Sequence, residues 1–174
     1  MIIKTRGQVW IESVLYTLIG LALIALVLVF ITPKISEAKD RLAIEQTIGS
    51  LNELDARMNI RPGNIRHIDF TMRRGELYIN GTGDKIIFIL DDVKAPYSEP
   101  GVPSSIGRIK VLTEEMQKGY SVSLTLGYGG IIDLKYGDED IAKKFTAAPT
   151  PYKLSITSKT SEGLDVIDIE EISG

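Results

Sequence analysis

Cysteine is absent from the 174-residue chain, which excludes disulfides, zinc–thiolate sites, iron–sulfur clusters and cysteine nucleophiles. Histidine occurs once, at His67, so acid–base chemistry near neutral pH would need that residue or a perturbed carboxylate. A charge excess is also missing, because 20 basic residues face 23 acidic ones and the formal net charge is −3. This balance argues against nucleic acid as the main partner.

The remaining residues offer no arrangement that is typical of an enzyme. No serine or aspartate stands in a known catalytic spacing with His67, which we interpret as a structural histidine. The acidic pairs lack the spacing of a calcium loop. The glycines of residues 127–130 do not open a helix, so we expect a tight hairpin there and no phosphate site. The sequence therefore predicts a protein without catalytic residues, bound metal or cofactor.

A long apolar run near the start is the strongest feature that the chain does have. Residues 14–31 carry no charge, and roughly 20 such residues are needed to cross the hydrocarbon core of a bilayer. Lys4 and Arg6 precede the run, which predicts a cytoplasmic N-terminus and an external C-terminal domain. A cleaved secretory signal is the alternative, but its apolar core is usually only about 7–15 residues long.

The helical pattern continues beyond the apolar run. Over residues 35–59 the apolar residues recur at three- and four-residue steps, which predicts an amphipathic extension of the same helix. These residues are Ile35, Ala38, Leu42, Ile44, Ile48, Leu51, Leu54 and Met58. Asp40 belongs to the opposite, charged face, which we expect to be solvated. Pro33 removes one helical hydrogen bond and predicts a kink where the helix leaves the apolar run, and the first turn of a separate helix is the alternative.

After Asn64 the periodicity changes from 3.6 to 2, which predicts short strands. Eight are expected, at residues 67–73, 76–80, 85–92, 107–112, 121–128, 131–136, 152–158 and 164–170. We therefore predict an α+β fold in which one long N-terminal helix precedes an all-β antiparallel sandwich head. The predicted division is a leader at 1–7, the helix at 8–60 and the head at 65–174.

Connections between the predicted strands carry further expectations. Arg74-Gly75 and residues 80–84 have the composition of hairpin turns. The proline-rich loops at 95–103 and 146–152 are expected to cross between sheets, and a subunit contact or the rim of a ligand site is the alternative. Asn80-Gly81-Thr82 is also an N-x-T acceptor for N-glycosylation, so Asn80 has two open interpretations, a glycan site and a turn residue.

The residues before the apolar run carry a resemblance. Lys4-Thr5-Arg6-Gly7-Gln8, with Glu12 following, resembles the class III signal peptide of archaeal type IV pilins and archaellins. The resemblance covers residues 4–58. It implies that a prepilin peptidase reads the leader charges Lys4 and Arg6, cuts between Gly7 and Gln8 and leaves the helix on the mature chain. It also implies an immunoglobulin-like head.

In such filaments Glu12 would set the register of packing, by pairing with the new α-amine of a neighbouring subunit. A plain location in the lipid headgroup region is the alternative for this residue. The resemblance thus predicts a structural subunit of an archaeal type IV pilus-like filament at the cell surface. Its expected partners are the membrane before assembly, the peptidase, and copies of itself or related subunits in a homopolymer or hetero-filament.

A different class of function stays open. The chain could be a single-pass protein of the plasma membrane whose external β-sandwich binds a ligand or partner. An archaellum stator-like component or an adhesin would be examples. Removal of the leader distinguishes the two classes, because only a filament subunit needs a free Gln8 in the assembled state.

Overall fold

A computed structural model describes residues 6–161 and 163–172. The chain divides into two compact units, Met1–Ala38 and Lys39–Gly174. Helix α1 (Arg6–Met58) begins in the first unit and ends in the second. Ten strands follow within the described residues. They are β1 (Ile65–Phe70), β2 (Glu76–Asn80), β3 (Lys85–Val93), β4 (Ser104–Ile106), β5 (Ile109–Glu115), β6 (Tyr120–Gly127), β7 (Ile132–Tyr136), β8 (Ala142–Thr146), β9 (Tyr152–Ser161) and β10 (Leu164–Glu171).

The end of α1 follows from its local sequence. Arg57 lies in the last turn, where a basic side chain interacts favourably with the helix dipole. Pro62 disfavours further helix and Gly63 takes a positive φ of 85°, so the chain turns away towards β1. Pro33 lies inside the helix, which continues on both sides of it.

The strands form two sheets, and the predicted α+β fold with a sandwich-like head is confirmed. One sheet has the order β4-β5-β6-β3-β2-β8 and is antiparallel throughout. The other has the order β1-β9-β10-β7, in which β10 and β7 run parallel. This parallel pair departs from the purely antiparallel expectation. It arises because β7 enters from the other sheet, so no hairpin sets its direction.

The chain crosses from one sheet to the other at turns whose composition does not predict a crossing. Residues 80–84 do close the predicted hairpin between β2 and β3. Arg74-Gly75 instead joins β1 in one sheet to β2 in the other, so that hairpin prediction is wrong. The same is true of residues 127–130, which make a turn between β6 and β7. A turn signal shows where the chain reverses, and the sheet that the next strand joins is decided by distant contacts.

The two proline-rich loops have different outcomes. The loop at 146–152 leads from β8 to β9 and thus crosses between sheets as predicted. The loop at 95–103 joins β3 to β4 within one sheet, so its predicted crossing is wrong. Thr113 of β5 holds this second loop, because its Oγ1 accepts a hydrogen bond from Ser98 N at 3.2 Å and its carbonyl accepts one from Gly101 N at 2.8 Å.

The inner faces of both sheets and one face of α1 share a single hydrophobic core. The helix contributes six buried apolar residues: Ala43, Ile44, Ile48, Leu51, Leu54 and Met58. The predicted stripe therefore begins later than expected, since Ile35 is 48% and Leu42 51% exposed. At one edge, the Phe145 ring of β8 contacts the Tyr136 and Tyr152 rings of the other sheet edge-on, with centroids 6.0 and 5.0 Å away.

Candidate functional site

The part of α1 in the first unit carries an exposed apolar surface. From Trp10 to Ile35, its large apolar side chains that lie on the surface are 40% to 71% exposed. A water-exposed apolar surface of this extent requires a covering environment. Among the described residues, α1 is the one helix that is long and apolar enough to cross a membrane. This segment is therefore suited to anchoring the chain in a bilayer.

The polar residues within the exposed segment satisfy their hydroxyl groups inside the helix. Thr17 Oγ1 donates to the Ser13 carbonyl at 2.7 Å, and Thr32 Oγ1 donates to the Leu28 carbonyl at 2.7 Å. Ser36 Oγ donates to the Thr32 carbonyl at 3.3 Å. These bonds supply acceptors for the hydroxyl protons, so the side chains can enter hydrocarbon at a reduced cost.

Glu12 is the acidic residue of this segment that lies nearest its start. It is exposed, and its carboxylate has no ion pair or hydrogen bond with any described residue. Glu37, at the far end, is instead paired with Lys34 at 2.8 Å. An unpaired carboxylate on an apolar helix is costly in a membrane, which makes Glu12 the residue whose partner is missing.

The predicted leader and cleavage junction lie largely outside the described part of the chain. Lys4 lies outside the described residues. Arg6, Gly7 and Gln8 belong to the first turns of α1, and their side chains also lie outside the description. The processing role of these four residues stays a prediction.

Asp40 joins the second part of α1 to the head. Its side chain is 4% exposed, one carboxylate oxygen pairs with Arg74 Nη1, and the other accepts a hydrogen bond from Lys94 N at 3.0 Å. The Lys94 amide follows an irregularity at the end of β3, where the register with β6 shifts and Asp92 takes a φ of 57°. Such a bulge re-aims the following backbone groups. The expectation that Asp40 faces solvent is therefore wrong.

Asp55 forms a second connection, 15 residues further along α1. Its carboxylate accepts hydrogen bonds from Arg108 Nη1 at 2.9 and 3.2 Å and from the Tyr128 hydroxyl at 2.8 Å. Arg108 sits in the two-residue loop between β4 and β5, where Gly107 has a φ of 61°, the pattern of a type II′ turn. The guanidinium carbon of Arg108 lies 5.2 Å from the centre of the Tyr128 ring.

The environment of Tyr128 favours its neutral form. Burial raises the pKa of the Tyr128 phenol above its usual value, and the hydrogen bond to the Asp55 carboxylate raises it further. Burial likewise raises the pKa of Tyr97, in the loop pinned by Thr113. Tyr128 therefore remains a hydrogen-bond donor to Asp55 over the physiological pH range.

Both connections between helix and head were missed by sequence reasoning, although a signal existed. Asp40 and Asp55 are 15 residues apart, close to a whole number of helical turns at about 3.6 residues each, so they lie on similar sides of α1. Asp40 lies four residues before the buried Ile44. Asp55 lies four residues after Leu51 and three before Met58, so both aspartates border the buried face of the helix. A carboxylate that shares the apolar face in this way needs a partner when the face is buried.

Asn80 ends β2 and begins a tight turn. Its Oδ1 accepts a hydrogen bond from Gly83 N at 3.0 Å, and Thr82 Oγ1 donates to the Asp140 carbonyl at 2.9 Å. The turn interpretation is thus confirmed, while glycosylation of Asn80 stays a prediction. His67 lies in β1 and is exposed.

No protein-family model, curated protein or solved structure matches the chain. The described residues combine two features. One is an exposed apolar helical segment that carries the unpaired carboxylate of Glu12, and the other is a helical stem (residues 39–58) that is built into the core of the head and held by Asp40 and Asp55.

Proposed function

We propose that the chain is a structural subunit of an archaeal type IV pilus-like surface filament. The observation that carries this proposal is that the two parts of α1 have different surroundings. Its first part is apolar and exposed, and its stem is a component of the core of the head. The exposed part would be covered first by lipid and later by the helices of neighbouring subunits.

The stem separates this proposal from that of a simple anchor. A membrane anchor needs only about 20 residues, after which a flexible linker is sufficient. Here residues 39–58 add six buried apolar side chains, and Asp40 and Asp55 bind the head at two points. The stem is thus part of the folded head, which a simple tether does not require. This supports an assembly function over tethering alone.

The N-terminal residues would prepare the helix for assembly. In this proposal Lys4 and Arg6 keep the leader in the cytoplasm, and a prepilin peptidase cuts after Gly7. The new α-amine of Gln8 then neutralises Glu12 of a neighbouring subunit as the helices leave the bilayer. Glu12 supports this role because it has no partner of its own among the described residues. The head would lie outside the cell.

Substitution of Glu12 tests the proposal. Cells that produce Glu12→Ala in place of the native chain should keep the protein in the membrane fraction and release few or no sheared filaments. Glu53→Ala is the matched control, because Glu53 lies on the exposed side of the stem and its one ion pair among the described residues is with Arg57, at 3.4 Å. The control should assemble as the native chain does. Normal filament yield from Glu12→Ala would refute the register role.

A single-pass binding protein remains the second candidate function. It is favoured by a cleft in the head, described below, which a purely structural subunit does not need. In that case the chain would stay in the membrane fraction with its N-terminus intact, and Glu12→Ala would leave its distribution unchanged.

A further inference from the structure

A cleft of about 650 Å³ lies where α1 passes the chain to β1. Its lining is drawn from the connecting segment, the start of β1 and the start of β10. The lining residues are Asn59, Ile60, Arg61, Pro62, Asn64, Ile65, Arg66 and Asp165. The volume is within the range of small-ligand sites, which is roughly 300–1,000 Å³.

Backbone hydrogen bonds hold the connecting segment in place. Gly63 N donates to the Ser158 carbonyl at 2.7 Å, and Ser158 N donates to the Asn64 carbonyl at 3.1 Å. The Asn64 side chain donates to the Arg61 carbonyl at 3.1 Å. Pro62 further restricts the backbone. The cleft is therefore formed in advance, so a ligand would not have to order the segment.

The two arginines of the cleft lack carboxylate partners. Arg61 and Arg66 form no ion pair with any described residue, whereas Arg57, Arg74 and Arg108 each do. Asp165 also lines the cleft but is not bonded to either arginine. Two guanidinium groups that form no ion pair among the described residues favour an anion as the ligand of this cleft.

The remaining lining narrows the chemistry of that anion. A guanidinium group binds a carboxylate or phosphate through two parallel hydrogen bonds. Asp165, however, would repel a densely charged anion such as phosphate, while it can accept hydrogen bonds from hydroxyl groups. Asn59 contributes an amide, and Ile65, which is 60% exposed, offers an apolar surface. Hydroxyls, a flat apolar face and one carboxylate are combined in an acidic sugar.

We propose that this cleft binds a carboxylated saccharide, with Arg61 and Arg66 on the carboxylate and Asp165 on the sugar hydroxyls. The site would let the head attach to an acidic polysaccharide surface. It does not depend on assembly into a filament, because a membrane-anchored monomer would present the same cleft.

The test is a calorimetric titration of the full-length chain in detergent micelles with tri-galacturonic acid. Saturable binding is expected. Arg61→Ala and Arg66→Ala should each weaken it about tenfold or more, since each removes a charge-assisted pair of hydrogen bonds. Arg66→Lys keeps the charge but loses the planar fork, and it should also weaken binding. The control is Arg73→Ala, which removes an exposed arginine that lines a different cleft and should change affinity less than twofold.

Several outcomes would overturn the proposal. Absence of saturable binding to tri-galacturonic acid would do so, as would equal losses from Arg73→Ala and Arg66→Ala, which would indicate general charge attraction. Neutral maltotriose binding as tightly as the acid would remove the role of the arginines. If inorganic phosphate or dextran sulfate bound more tightly than tri-galacturonic acid, the cleft would be a general anion site and not a saccharide site. Circular dichroism of each variant verifies that the head remains folded.

Discussion

The hydroxyl of Tyr128 lies 2.8 Å from Oδ1 of Asp55, and this contact fixes the last turns of α1 to the residue that follows β6. Tyr128 is almost fully buried, and Arg108 binds the same carboxylate from the β4–β5 turn. The Asp55 carboxylate thus binds two separate parts of the six-stranded sheet. Its removal must break the contacts with both Arg108 and Tyr128.

The three residues should therefore contribute unequally to stability. Asp55→Ala leaves the buried Tyr128 hydroxyl without an acceptor, so we expect a loss of about 1–3 kcal/mol in the free energy of unfolding. Tyr128→Phe removes only the hydrogen bond and should cost about 0.5–1.5 kcal/mol. Arg108→Ala should cost at most about 1 kcal/mol, because its side chain is 52% exposed. Chemical denaturation in mild detergent measures all three.

Arg41→Ala is the control for this series, since it breaks an exposed pair with Glu45 within α1 and should cost at most about 0.5 kcal/mol. The reverse order, with Arg108→Ala the most damaging, would show that the ion pair holds the helix end and the tyrosine does not.

The stability of the head should depend on both the charge and the hydrogen-bond acceptor at Asp40. Asp40→Ala removes the acceptor of the Lys94 amide and the partner of Arg74, and it should lower the free energy of unfolding by about 1–3 kcal/mol. Asp40→Asn keeps an acceptor oxygen and should lose less. Thermal unfolding followed by near-ultraviolet circular dichroism measures the difference. Equal losses from the two variants would mean that the Lys94 hydrogen bond contributes nothing.

Alkaline pH should weaken the head through Tyr128. Because burial raises the pKa of this phenol in the folded chain, the folded state keeps its proton while the unfolded chain releases it above the ordinary tyrosine pKa of about 10. Stability from this residue is complete below pH 10 and falls by about 1.4 kcal/mol for each further pH unit. Denaturation midpoints at pH 8 and pH 11 should fall further apart in the native chain than in Tyr128→Phe. Equal shifts would contradict the assignment.

Gly75 should not tolerate a side chain. It has a φ of 87°, and an added Cβ would lie 2.6 Å from the Ile89 carbonyl oxygen and 2.6 Å from the Phe88 ring. Gly75→Ala therefore combines backbone strain of about 1–2 kcal/mol with a clash that the core must absorb. Gly127→Ala is the matched control, because an added Cβ there meets no atom within 4 Å. Its thermal midpoint should be unchanged or slightly raised, and a similar drop in both variants would contradict the packing at Gly75.

The sequence predicted those parts of the fold that depend on local patterns. The apolar run and its three- and four-residue steps identified α1, and strict alternation as in Val122, Leu124 and Leu126 identified the central strands. The sequence did not predict β4, because it has only three residues and all are exposed. It did not predict β8 either, because Phe145 is the one buried side chain of that strand. Neither strand carries an alternating signal.

Contacts between distant parts of the chain could not be predicted in the same way. Asp40 and Arg74 are 34 residues apart, and Asp55 and Tyr128 are 73 apart. The partner of each carboxylate depends on where the chain crosses between the two sheets, as it does at Gly75 between β1 and β2. For the predicted cleavage between Gly7 and Gln8, by contrast, the sequence is the source of the prediction and the structure adds no contacts to it.

The filament-subunit proposal is tested most directly by the intact mass of the chain in filaments sheared from native cells. The mass should lack residues 1–7 and correspond to a chain that begins at Gln8, as glutamine or its cyclised form. Sheared filaments that contain the chain with Met1 to Gly7 still attached would contradict the proposal. A chain found only in the membrane fraction with its leader intact would contradict it equally and favour the anchored binding protein.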